Sequence, residues 1–142
     1  MKELNFATGL EEYKLADGCV VRFNPTDTFF VERLYNTFCE IDKKDGAFHA
    51  RVDKLADKEE VFQLGHESDA EIREMINAIF GEDICTPVIG GMCIWAWADG
   101  MPVWANILLA IMDEIDTTFA REQKATNPRI KKYTEKYKKY MK

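Results

Sequence analysis

The chain has 142 residues, enough for one domain with its own core. Hydrophobic residues make up 46% and aromatics 12%, which excludes a disordered body. The net charge of −6 conceals a split: residues 120–142 carry +7 and residues 1–119 carry −13. This pattern predicts an acidic domain over 1–119 and a basic, Lys/Tyr-rich helix or tail over 120–142.

In chain order, Leu4–Phe6 and Tyr13–Leu15 have strand character. Ala16-Asp17-Gly18 then separates Tyr13–Leu15 from Cys19-Val20-Val21-Arg22-Phe23. Asp-Gly between apolar runs predicts a hairpin, because its turn needs residues that tolerate positive φ. A small meander results if Leu4–Phe6 pairs as well. Asn24-Pro25-Thr26-Asp27 reads as a helix start, with Asn24 as cap, Pro25 at the first helical position and Asp27 on the helix dipole. That helix buries Phe30, Leu34, Phe38 and Ile41, and is expected to run to about Lys44 and stop at Asp45-Gly46.

Val52, Leu55, Ala56, Val61 and Phe62 suggest a further helix that ends at Gly65. Ser68 or Asp69 is then expected to cap the next one. Its Ile72, Met75, Ile76, Ile79 and Phe80 follow the i, i+3, i+4, i+7, i+8 pattern, and Gly81 supplies its C-terminal residue. Residues 82–100 read as an apolar loop or short strands, with turns at Pro87, Gly90-Gly91 and Asp99-Gly100. Pro102 opens a helix with Val103, Ile107, Leu108, Ile111, Ile115 and Phe119 on one face. Asn127-Pro128 breaks the chain before the basic segment. The expected fold is α+β and mainly α: an N-terminal β-hairpin or small meander, then four to five helices.

The most apolar stretch, Cys93 to Leu109, is interrupted by Asp99, Gly100 and Pro102 and is too short for a membrane span. The N-terminus lacks the apolar run of a signal peptide. Cys19, Cys39, Cys85 and Cys93 form no CxxC or close Cys/His pair, so a reduced, cytoplasmic state is expected. Cys19 and Cys39 read as small buried apolar residues, while Cys85 and Cys93 flank a Gly-Gly turn across which they could approach each other.

No catalytic pattern emerges. His49 and His66 are isolated, and His66-Glu67 with Asp69 has the wrong spacing for a zinc helix. Asp113, Glu114 and Asp116 read as a solvated acidic face. The chain is therefore expected to be no enzyme, with no cofactor and no metal. Trp95, Trp97 and Trp104 lie within ten residues, and two readings stand: a core plug, or an interface joined by Met92, Met101 and Met112. On the tail, Tyr133, Tyr137 and Tyr140 share one helical face among lysines that include Lys139 and Lys142. Three readings stand there as well: a solvated helix, a helix docking by its Tyr face on its own body or a partner, or a nucleic-acid contact. The acidic body argues against nucleic acid as the main partner.

Two stretches resemble a known family. Phe23-Asn24-Pro25-Thr26-Asp27, Ile79-Phe80-Gly81, and Pro102 with Asn106, Leu108, Ala110 and Ile111 look like motifs of small tail assembly chaperones. These come from long-tailed bacteriophages and prophages of Gram-positive gut bacteria. The resemblance implies a non-enzymatic protein of the bacterial host cytoplasm that binds tape measure or tail tube proteins during tail assembly, itself able to form oligomers. The binding residues expected on this reading are Trp95, Trp97, Met101 and Trp104, with Tyr133 and Tyr137 on the tail. The alternative is a nucleic-acid-binding accessory protein acting through the basic segment.

Overall fold

The computed structural model describes residues 1–16, 18–125 and 127–140. Asp17 of the expected hairpin turn and Lys142 of the tail lie outside the described residues, and Lys139 is described by its backbone alone. Among the described residues the fold is α+β and mainly helical, an N-terminal antiparallel hairpin followed by five helices. The hairpin pairs β1 (Glu11–Leu15) with β2 (Cys19–Phe23), Leu15 opposite Cys19 and Tyr13 opposite Val21. Its inward residues, Tyr13, Leu15, Val21 and Phe23, join the core. Leu4–Phe6 adds no strand, so the meander does not form; Leu4 and Phe6 are exposed.

Asn24-Pro25-Thr26-Asp27 is a turn rather than the first helical turn. Asn24 Oδ1 accepts from the Thr26 amide at 2.8 Å, and the Asp27 amide donates to Asn24 O at 3.0 Å. Pro25 is buried at the second turn position, where its fixed φ is pre-set. The cap passes to Asp27, whose carboxylate accepts from the Phe29 amide at 3.0 Å. Helix α1 then spans Thr28–Lys54, ten residues beyond the expected stop. Gly46 lies inside it in open space, where a lone glycine costs only about 1 kcal/mol. Burial of Ile41 before it and stacking of Phe48 on Trp95 after it outweigh that cost.

The second helix, α2, spans Lys58–Phe80, capped by Asp57 and passing unbroken through Gly65, Ser68 and Asp69. It ends on Gly81, as expected, with φ of 72°. Helices α1 and α2 form an antiparallel pair. Phe30 near the start of α1 meets Phe80 at the end of α2, with ring centroids 5.8 Å apart. Lys44 pairs with Glu71 further along. Phe23 stacks on Phe30 at 4.5 Å and on Tyr13 at 4.6 Å, which ties the hairpin to this pair.

A short helix α3 (Cys85–Ile89) and a two-residue hairpin, β3 (Trp97–Ala98) with β4 (Met101–Pro102), follow. Helix α4 (Val103–Lys124) seals the core with Trp104, Leu108, Ile111 and Ile115. Phe119, expected on the same face, is exposed. The helix runs through residues 120–124, so the structural break falls after Lys124 and not at the charge boundary. Helix α5 (Arg129–Tyr137) and a final 3-10 turn (Lys138–Tyr140) complete the described chain.

Two glycines give opposite outcomes. A Cβ at Gly18 would sit 1.9 Å from the Pro87 carbonyl oxygen, because the first hairpin packs directly on α3. Gly18→Ala is expected to cost about 3 kcal/mol by overpacking, and Gly46→Ala to gain about 1 kcal/mol of helix propensity. Urea midpoints of the two variants against the parent check both signs.

Candidate protein-binding surface

The segment between α2 and α4 is held by one polar face of α2. Asp69, Arg73 and Asn77 recur every four residues and so project on the same side. Asp69 accepts from the Ile94 amide through Oδ1 at 2.6 Å and from Arg73 Nε through Oδ2 at 2.9 Å. Arg73 donates in turn to the carbonyls of Gly90 and Met92. Asn77 Oδ1 accepts from the amides of Ile84 and Cys85 at 2.9 and 3.1 Å. Asp83 accepts from Asn77 Nδ2 and the Thr86 amide, both at 3.1 Å, and hydrogen bonds from the Thr86 side chain and amide, with Asn77 adding to them, hold its carboxyl below the usual range.

This clamp fixes the direction of every tryptophan. Ile94 and Trp95 enter the core, with Trp95 stacked on Phe48 at 5.1 Å and nearly parallel. The β3–β4 turn follows, with positive φ at Asp99 and Gly100, and Asn106 Nδ2 binds Ala98 O at 2.8 Å. Trp97, on that hairpin, is 64% exposed. Trp104 is 2% exposed and packs against Phe38 at 5.4 Å. The expected contact set is therefore corrected: Trp95, 8% exposed, and Trp104 are core residues because their rings pack on Phe48 and Phe38 of α1. Trp97 faces solvent, and Met101 is half-buried against the core.

Phe48, Val61, Phe62, Gly65, His66 and Cys93 line a groove of about 340 Å³ beside the clamp. Phe62 is 66% exposed at its edge, and Met92 is exposed nearby in sequence to Cys93. Gly65 contributes no side chain, which leaves the groove open along α2. The signal for it was the Phe62–Gly65 spacing, masked by reading Gly65 as a helix end.

On α5, Tyr133 and Tyr137 stack at 6.2 Å, and Tyr140 adds a third ring 6.0 Å from Tyr137. Lys132 lies 5.2 Å from the Tyr133 ring, and Lys136 lies 5.9 and 5.7 Å from the rings of Tyr133 and Tyr137. No residue of α5 is buried, so its Tyr stripe is exposed rather than docked on the chain's own body.

No family model, curated protein or solved structure matches this chain. Among the described residues, no group of three His, Cys, Asp or Glu side chains converges to hold a metal. No helix is long and apolar enough to cross a membrane. The four cysteines are free: Cys93 is exposed, Cys19 and Cys39 are half-buried, and Cys85 is buried, so Cys85 and Cys93 form no bridge. Burial pushes the Cys85 thiol up to about 11.

Asp69→Ala removes one charged acceptor from two bonds, and a loss of about 2–3 kcal/mol is expected, with a red shift of Trp95 emission as the clamp loosens. Thiol labelling of the parent is expected to modify Cys93 first and Cys85 only on unfolding. The raised Cys85 value means its share of stability is intact below about pH 9 and lost as pH rises toward about 11. Denaturation midpoints across that range check the sign.

Proposed function

We propose that this chain is a non-enzymatic tail assembly chaperone that binds an apolar helical segment of a tape measure or tail tube protein in the host cytoplasm. The observation that carries this reading is the groove of about 340 Å³ edged by exposed Phe62. A cleft of this kind suits an amphipathic helix, which inserts side chains at i, i+3, i+4 and i+7. The acidic exterior of the body keeps such an apolar surface in solution. The motifs that resemble the family have structural roles in the fold. Asp27 caps α1, Gly81 ends α2, and Asn106 pins the β3–β4 hairpin that carries Trp97.

Co-expression with a tape measure fragment from the same genome tests the proposal. The fragment is expected to stay soluble with the parent chain and to aggregate without it. Phe62→Asp is expected to weaken binding at least tenfold, about 1.4 kcal/mol, without lowering the urea midpoint, because Phe62 is exposed. Trp97 quenching by acrylamide is expected to fall on complex formation. A fragment bound equally well by Phe62→Asp overturns the groove as the site.

A further inference from the structure

We infer that the basic α5 helix of one copy seats in an acidic groove at the α1–α2 turn of another copy, so that the chain associates head to tail. Ile130, Tyr133 and Tyr137 form one exposed apolar stripe on α5. Arg129, Lys131, Lys132 and Lys136 surround it, in a segment of charge +7. Such a stripe needs a surface that is apolar at the floor and acidic at the walls. The groove of about 480 Å³ where α1 turns into α2 has that form. Leu55 and Leu64 supply its apolar floor, and Asp57, Glu59, Glu60 and Glu67 its rim. Arg51 is the single cation among its lining residues, so the rim keeps a clear excess of negative charge.

Reach decides that the occupant is a second copy. Helix α4 ends beside the start of α1: Arg121 bonds Glu11 at 3.2 Å, and Thr118, Phe119, Glu122 and Gln123 line one groove with Thr8, Asn24 and Thr26. The α1–α2 turn lies at the opposite end of a 27-residue helix, roughly 40 Å away at 1.5 Å per residue. Even a fully extended link from Lys124 to Arg129, followed by α5, brings Tyr137 at most about 30 Å from the end of α4. The tail of a chain therefore falls short of its own acidic groove, while the groove of a neighbour is open to it. Two different patches at opposite ends make a heterologous contact, which propagates unless it closes into a ring. A helix of this length buries less than a standard interface, so the contact is weak and strongly salt-dependent.

Sedimentation of the full chain tests this at about 50 mM and about 500 mM salt, where screening differs severalfold in range. Mass that rises with concentration beyond a dimer in low salt, and returns to the monomer in high salt, is expected. Tyr133→Ser/Tyr137→Ser removes the plug, and Glu60→Lys/Glu67→Lys reverses the rim. Each variant alone is expected to associate at least tenfold more weakly than the parent. Mixed together, they are expected to form a heterodimer that grows no further, since one intact plug and one intact groove remain. A mixture without heterodimer, or a parent that forms only a closed dimer, overturns the proposal. So does a parent that stays monomeric in low salt, whether or not its tail retards a single-stranded oligonucleotide.

Discussion

The segment between α2 and α4 depends on Asp69. One carboxylate on α2 fixes the Ile94 amide and orients Arg73, which then gathers the carbonyls of Gly90 and Met92. Charged acceptors and donors make hydrogen bonds about twice as strong as neutral ones. They are needed here because residues 81–96 contain little regular structure to satisfy their own backbone. With Asn77 closing the other end of the segment, α2 acts as a rack on which the loop is hung. The placement of Trp95 against Phe48 and of Trp97 in solvent follows from that rack, as does the entry angle of α4, where the Trp104 amide bonds Ile94 O at 3.2 Å.

Sequence patterning read the elements whose signals are local. The hairpin announced itself by apolar runs around a turn, and the C-terminal half of α2 by Ile72, Ile76 and Ile79 with Gly81 behind them. It failed where tertiary packing overrides a local preference. Gly46 and Gly65 mark stops in the sequence pattern, yet a glycine raises helix cost by only about 1 kcal/mol, less than one buried isoleucine returns. Ser68 or Asp69 reads as a cap because both residue types favour helix starts, yet α2 passes through both and Asp69 spends one oxygen on the Ile94 amide 25 residues away. Asn24 yielded the cap to Asp27 for a similar reason: its side chain is committed to Thr26 and to the Thr8 carbonyl.

Exposure divides the residues expected at the candidate surface. Trp97, Tyr133 and Tyr137 are exposed as a contact surface requires, whereas Trp95 and Trp104 are the plug that the other reading of the cluster described. Nothing in composition separates neighbouring tryptophans that point opposite ways. That depends on where the backbone enters the β3–β4 hairpin, which depends on Asp69 and Arg73. The Phe48–Phe62 groove was hidden by the same misreading of Gly65, since a groove along a helix cannot be seen where the helix is thought to end.

The continuity of α1 also sets the electrostatics of the whole chain. Had α1 stopped at Lys44, the α1–α2 turn would lie about 25 Å from the start of the helix. That distance is within reach of the tail, and opposite charges would settle the contact inside one molecule. Passing through Gly46 to Lys54 carries the acidic rim beyond that reach. The acidic body and the basic tail beyond α4 are thereby kept apart within a chain and left complementary between chains. A single tolerated glycine in a long helix thus converts an intramolecular attraction into an intermolecular one.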